Sequence, residues 1–200
     1  MVPEPVTRRE PPAQALGTGH QPDVGSHLVG PSGTMPADNQ FGLALTSLWH
    51  AVSLGGGAVG FLPSVQRPEV AARAAAVVAD LRAGRSLGVA LIADRQLVGF
   101  AKLAPGAGLI AHTGEITLVM VDPALQGRNL GSLLMNRILA LATERGMERV
   151  TLSIRDGEGL QGFYSRFGFV EWGRKPGWVR VGPGDDRDEI FYWADPRSAR

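Results

Sequence analysis

The stretch between residues 115 and 141 limits most tightly what this chain can become. Residues 115–121 (EITLVMV) are an apolar run of strand length, and Asp122-Pro123-Ala124-Leu125 ends it. Gln126-Gly127-Arg128-Asn129-Leu130-Gly131-Ser132 then opens the longest amphipathic stripe in the chain: Leu130, Leu133, Leu134, Ile138 and Leu141. Strand, short glycine-containing turn and helix in that order predict a layered α/β fold, with the strand apolar enough to be expected buried on both faces. The turn carries chemistry as well. Backbone N–H groups at a helix start have no partner within the helix, and the positive end of its dipole faces the same way, so the turn suits an anion. Gly127 and Gly131 would let that anion approach the backbone closely. A plain helix cap with tight strand–helix packing is the structural alternative.

The remaining periodicity fills in a single domain. Leu43, Leu45, Leu48, Trp49 and Val52 predict a helix ending at Gly55-Gly56-Gly57. Pro68, the stripe Val70, Ala74, Val77, Val78 and Leu81, and the stop at Gly84 predict a second. Residues 87–93 and 97–103, separated by Asp94-Arg95-Gln96, read as a β-hairpin. After the long helix come a strand at 150–154, a short helix at 159–167 and two strands at 169–172 and 189–193. Antiparallel strands first and a β-α-β-α-β run afterwards predict a mixed α/β sandwich in one domain. Residues 1–40 hold seven of the 14 prolines and none of the aromatics, so 1–34 is expected to be a mobile tail, with a first strand near residues 27–30 as its end. The folded unit is expected over 35–195, with 196–200 as a C-terminal tail.

Composition removes several function classes. Twenty Lys+Arg against 19 Asp+Glu leave a net charge of +1, too little basic excess for a nucleic-acid surface. With no cysteine, disulfides, thiolate metal sites and cysteine nucleophiles are excluded. The four histidines form no close pair, so no metal site is expected. No apolar run reaches the roughly 18 residues of a spanning helix. The opening MVPEPVTRRE lacks the order of a signal peptide, and a cytoplasmic protein without membrane partners is expected. The string Gly55-Gly56-Gly57-Ala58-Val59-Gly60 satisfies G-x-G-x-x-G, but it follows a helix pattern and not a strand. That context fails for a dinucleotide site, and a loop near a binding site is the better reading.

Two segments together resemble the GCN5-related N-acetyltransferases. That family's signature is Gln/Arg-x-x-Gly-x-Gly/Ala after a strand and a Val-x-Pro-like turn. Val121-Asp122-Pro123 and Gln126-Gly127-Arg128-Asn129-Leu130-Gly131 match it except for Asn129 at the middle glycine. Asparagine tolerates a left-handed or capping conformation well. Farther on, Gly162-Phe163-Tyr164-Ser165-Arg166-Phe167-Gly168-Phe169 is similar to the family's FYxxxGF. The resemblance covers roughly residues 36–194. Gly56 to Phe61 and Gly173 to Trp178 further resemble the tabtoxin-resistance type of small-molecule acetyltransferase, in which they would form the acceptor rim.

The resemblance implies a mostly antiparallel sheet with a central splayed strand pair and acetyl-CoA as acyl donor. Pantetheine would pair with backbone at Val119, Met120 and Val121, and the pyrophosphate with amides of Gln126, Gly127, Arg128, Asn129, Leu130, Gly131 and Ser132. An acceptor amine would attack the thioester directly. Tyr164 matches the acid that protonates the departing thiolate, against the alternative of a packed core ring. Glu115 matches the base, usually acting through water, against a solvated strand-end carboxylate. His112 is a rival base or substrate-binding group, or an ordinary loop histidine. Phe61 and Trp178 are candidates for lining the acceptor site, and Asp185, Asp186 and Glu189 for attracting a cation, or for packing and a charged turn. The implied partner is a small-molecule amine, and assembly as a homodimer is left open. A protein lysine or N-terminus as acceptor, and a non-catalytic acyl-CoA-binding module, are the alternatives.

Overall fold

The computed structural model describes residues 24–30 and 39–198. Seven strands form one sheet in the order β1-β2-β3-β4-β5-β7-β6. The strands are β1 (Val24–Val29), β2 (Leu87–Ala93), β3 (Gln96–Pro105), β4 (Thr113–Val121), β5 (Arg149–Arg155), β6 (Val170–Gly182) and β7 (Asp185–Ala194). Every neighbouring pair is antiparallel except β4 and β5. The β2–β3 hairpin closes through Asp94 and Arg95, both at positive φ (48° and 64°), the two-residue turn whose twist suits flanking strands.

Helices α1 (Gln40–Leu54) and α2 (Arg67–Arg82) cover one face of the sheet, and α3 (Leu130–Glu144) and the short α4 (Gln161–Ser165) cover the other. At the start of α2 the Gln66 N–H donates to Glu69 Oε1 at 3.2 Å, an N-terminal lock that the sequence carries in Gln66 and Glu69. Its end is the left-handed Gly84. On the α3 face, Leu134, Met135, Ile138 and Leu139 pack on Leu91, Leu103, Ile116 and Val150, all essentially buried. The α1/α2 face joins Leu45, Trp49, Val70 and Leu81 to Phe100 and Met120, and takes no buried residue from β5, β6 or β7. Among the described residues, half of the sheet therefore has a helical layer on one side only.

Three expectations change. Strand β1 lies upstream of residue 35 yet pairs with β2 along its whole length, and Val29 is buried. Ser26 also accepts from Arg137 Nε of α3 at 2.9 Å. The folded unit thus begins no later than Val24, and the remainder of the expected tail lies outside the described residues. At the other end, Pro196–Ser198 form a 3-10 turn with Pro196 buried, so the C-terminal tail is not free there. Finally, β4 is not buried on both faces: Glu115 is exposed and Thr117 to Val119 are half-buried. The strand borders a gap rather than a neighbour.

Loss of β1 should be felt. A chain starting at Met35 leaves the β2 edge bare and loses the burial of Val29, on the order of 2 kcal/mol. In thermal melts it should unfold several degrees below the full chain; an unchanged midpoint would show that β1 adds nothing to the core.

Candidate active site

The gap starts where the parallel ladder stops. β4 pairs with β5 only at Thr113–Arg149, Gly114–Val150 and Glu115–Thr151. Beyond that point β4 gains one residue over β3, because Phe100 pairs with Met120 while Lys102 pairs with Thr117. Leu118 takes the extra place at φ 55°, a left-handed conformation uncommon for leucine. The bulge turns the second half of β4 away from β5. A cleft of about 700 Å³ opens between them, lined by β4 from Ile116 to Val121 and by Leu152, Ser153 and Ile154 of β5. Backbone groups on these facing edges have lost their ladder partners, so an extended polar chain could take the place of a strand.

One end of the cleft is the turn before α3. Asp122 Oδ1 accepts from the Ala124 N–H at 2.9 Å and shapes the turn. Gly127 (φ 78°) and Asn129 (φ 62°) are both left-handed. Asn129 therefore replaces the expected glycine by adopting its conformation, and its side chain makes no capping bond. None of the backbone N–H groups from Gly127 to Ser132 has a backbone acceptor among the described residues. A run of free donors at a helix start is a ready anion cradle. Gln126, Gly127, Asn129, Leu130, Gly131 and Ser132 line the cleft, whereas the exposed Arg128 does not. A Cβ on Gly131 would lie 3.4 Å from the Phe163 ring, an ordinary contact, while any larger side chain there would reach toward α4.

The opposite wall is α4. Tyr164 lines the cleft but is only 7% exposed, with Phe163 and Phe169 edge-on at 5.0 and 6.0 Å. Its phenol makes no hydrogen bond among the described residues, and burial raises its pKa to about 12. The group is a reserve of one proton that does not ionise near neutrality.

The loop from Gly55 to Val59 closes the cleft from above. It is held by the Trp49 indole N–H, which donates to the Val59 carbonyl at 2.8 Å, and by Arg155, which donates to the Gly56 carbonyl at 3.4 Å. Gly57 must be glycine, because a Cβ would lie 2.6 Å from Val52 Cγ1. A second cavity of about 290 Å³ adjoins the first and shares Ala58, Ser153 and Ile154 with it. Phe61, Leu62, Arg155, Val179, Arg180 and Glu189 complete its walls. Phe61 is fixed there by a ring contact with Trp49 at 5.4 Å. Ser153 Oγ donates to Glu189 Oε1 at 2.9 Å, at the junction of the two cavities.

The structure thus gathers Tyr164, the Gly127–Ser132 turn, the backbone of Val119, Met120 and Val121, and Phe61 around connected space. Glu115 and His112 line neither cavity. Both are exposed, Glu115 on the sheet face it shares with its pair partner Thr151, and His112 below β4, where its carbonyl accepts from the Glu148 N–H at 2.8 Å. Trp178 lies on β6 with 67% of its surface exposed, and the segment from Gly173 to Trp178 is strand rather than loop. Ser153 and the Arg155–Glu158 ion pair escaped notice in the sequence. Alternation on β5, with Val150, Leu152 and Ile154 inward, was the available signal that residues 151, 153 and 155 face the other way. Among the described residues no group of three His, Asp or Glu side chains is placed to hold a metal ion, and no helix is long and apolar enough to cross a membrane.

Comparison with known proteins agrees with this geometry. The family model described as Acetyltransferase (GNAT) family matches residues 61–169. The chain belongs to that family. The family is one of acetyltransferases, enzymes of the acyltransferase class. An uncharacterised N-acetyltransferase of Methanocaldococcus jannaschii is 37% identical over 71 residues, 35% of this chain and 31% of that protein. The mycothiol acetyltransferase of Beutenbergia cavernae is 43% identical over 62 residues, 30% of this chain and 20% of that one. The matches therefore span about a third and a fifth of these relatives' lengths. Among solved structures, an N-acetyltransferase from Staphylococcus aureus superposes with a TM-score of 0.67 at 15% identity, covering 86% of this chain and 99% of its own. The ribosomal-protein-alanine N-acetyltransferase of Brucella melitensis does so with 0.65 at 19%, covering 80% and 98%. At those identities the likeness is one of fold.

The Tyr164 environment can be read directly by alkaline titration. The folded-state pKa lies above the ordinary value near 10, so the associated stability is fully present below about pH 10 and is lost as pH rises through about 12. Phenolate absorbance from Tyr164 should emerge near pH 12 and vanish in Tyr164→Phe. A transition near pH 10 that disappears in that variant would mean the ring is hydrated.

Proposed function

We propose that this GNAT enzyme transfers an acetyl group from acetyl-CoA to the primary amine of a small molecule by direct attack. The observation that carries the proposal is the pairing of the splayed cleft, with free N–H donors at one end and a buried phenol on its wall, with an adjoining smaller cavity that Glu189 lines. The cleft suits the donor on its own chemistry. Unpaired strand edges of β4 match a pantetheine amide chain, and the turn from Gly127 to Ser132 matches a pyrophosphate. Bound there, acetyl-CoA supplies an acyl thioester.

The chain's residues then have two proton tasks. The acceptor enters as an ammonium and must lose a proton before its nitrogen bonds to the acyl carbon. We assign that task to Glu115 through water, because Glu115 stands on the sheet face that carries Ser153 and Glu189. As the carbon–sulfur bond breaks, the sulfur gains the electron pair, and Tyr164 donates its phenolic proton to it. A dry phenol with a raised pKa keeps that proton available across the neutral range. The amide nitrogen releases its remaining extra proton to solvent.

A second reading places a protein lysine or N-terminus in the acceptor role. Trp172 and Trp178, 63% and 67% exposed on β6, favour it by offering apolar surface on a strand that also supplies Val179 to the second cavity. Release of free CoA with a panel of small amines and a panel of short peptides separates the two readings. Turnover with peptides alone would reject the small-molecule acceptor.

Acetyl-CoA should raise the melting temperature by binding the folded state. Gly131→Val should weaken that binding at least about tenfold, since the added side chain crowds both the N–H cradle and Phe163. Equal affinity in the two proteins would remove the turn from the donor site. Tyr164→Phe should leave the affinity nearly unchanged and lower kcat about 10²-fold, because the hydroxyl acts on charge that develops only in the transition state. Full kcat in Tyr164→Phe would make the phenol structural. Glu115→Gln should show a defect that shrinks as pH rises and more acceptor arrives already neutral; a pH-independent defect would point to another base.

A further inference from the structure

We infer that Glu189, together with the rings of Phe191 and Trp178 that face the Lys175 ammonium beside it, is the docking point for the acceptor's ammonium group, and that Lys175 occupies it while no acceptor is bound. This rests on the transferase reading above and adds a specificity-determining site to it. The sequence pairs Glu189 with Arg155 on β5 and with Lys175 on β6, so its carboxylate emerges in the middle of the helix-free face. One oxygen accepts from Ser153 Oγ at 2.9 Å, and Ser153 lines both cavities. The other oxygen lies 3.4 Å from Lys175 Nζ. That nitrogen is also 4.6 Å from the Phe191 ring centre and 5.1 Å from the Trp178 ring centre.

One carboxylate and two aromatic faces around a primary ammonium make a recognition site for that group. Here the chain supplies the guest itself. The neighbouring carboxylates are engaged differently: Glu158 by Arg155, Asp186 by the two-point grip of Arg180, and Asp188 by the Gly177 N–H and Arg174. An arginine fork holds its carboxylate at two points, whereas a lysine makes one contact on a four-carbon stem. Lys175 is half exposed, so its ammonium can leave for water without disturbing the strand. The vacated position would accept another primary ammonium, with an apolar stem lying against Phe61, Leu62 and Val179 in the second cavity. Lys175 thus competes with the acceptor and sets a threshold of affinity that a weak amine does not pass.

Phenethylammonium, with 2-phenylethanol as its uncharged match, tests this by calorimetric titration of the full chain with and without CoA. Lys175→Met should bind phenethylammonium about tenfold more tightly than wild type, and Lys175→Arg more weakly. Glu189→Gln should lose binding at least about tenfold, and the alcohol should not bind any form. Unchanged or weaker binding in Lys175→Met, unchanged binding in Glu189→Gln, equal binding of the alcohol, or no phenethylammonium binding to Lys175→Met each overturns the inference. Should Glu189→Gln fail to fold, the opposed responses of the two Lys175 variants decide it alone. The shift of melting temperature with acetyl-CoA is read in the same proteins. Loss of that shift with ammonium binding intact rejects the donor assignment only, and the reverse result rejects the ammonium site only.

Discussion

The break in the β4–β5 ladder after Glu115 and Thr151 is the constraint to which the rest of the molecule answers. A parallel ladder that stops in mid-sheet leaves backbone donors and acceptors facing each other across a gap, and each such group costs about 1–3 kcal/mol if it is buried without a partner. The gap is sustainable because each strand is secured on its other edge, β4 by β3 and β5 by β7 along nearly its full length. The bulge at Leu118 creates the divergence and is itself fixed by packing, since Leu118 lies against the core beneath α1 and α2. A left-handed leucine is strained by about 1–2 kcal/mol. The burial of its side chain offsets strain of that size.

The two helical layers divide the work. Under α3 and α4 the core is continuous from β2 across to β7, which makes a rigid wall on which Tyr164 and the helix start are mounted. Under α1 and α2 the core stops at β4, so β5, β7 and β6 present polar and aromatic side chains to open space. The donor cleft runs through the sheet between these territories, and the second cavity opens on the uncovered side. The proposed reaction, which brings an anionic donor and a cationic acceptor together from different directions, would use this asymmetry. An evenly covered sheet would bury the meeting point.

Most of the architecture was legible because its signals are local. The β2–β3 hairpin showed in Asp94-Arg95-Gln96, the second helix in Pro68 and Gly84, and the anion cradle in Gly127, Asn129 and Gly131. What escaped reading depends on partners distant in sequence. Residues 115–121 look like a doubly buried strand, since nothing in EITLVMV announces that the neighbouring strand will diverge after Thr151. A first strand is legible near residues 27–30, but not its start at Val24 or its place in the sheet; those come from the free edge of β2 and from Arg137 reaching Ser26. The segment from Gly173 to Trp178 reads as loop because glycine and proline dominate it. It becomes strand through pairing with β7, with shifts in register that absorb the breakers. Ser153 and Glu189 are 36 residues apart and meet only because β5 and β7 are adjacent.

In the proposed reaction the environment of Tyr164 would serve both stability and chemistry. Two aromatic neighbours on the same short segment, Phe163 and Phe169, pack edge-on against the ring, and its burial raises the pKa to about 12. In water that would make a poor acid. Inside a water-poor cleft the comparison is with the group that receives the proton, and a thiolate forming in the same apolar surroundings is destabilised by the same loss of hydration. Both anions are penalised together, so the proton transfer stays near balance while the charge-separated arrangement before it becomes less favourable. The phenol is therefore matched to its partner by location and not by an ordinary solution pKa. In the proposed reaction the phenol and the sulfur thus share one water-poor setting, which Phe163 and Phe169 maintain by packing edge-on against the Tyr164 ring.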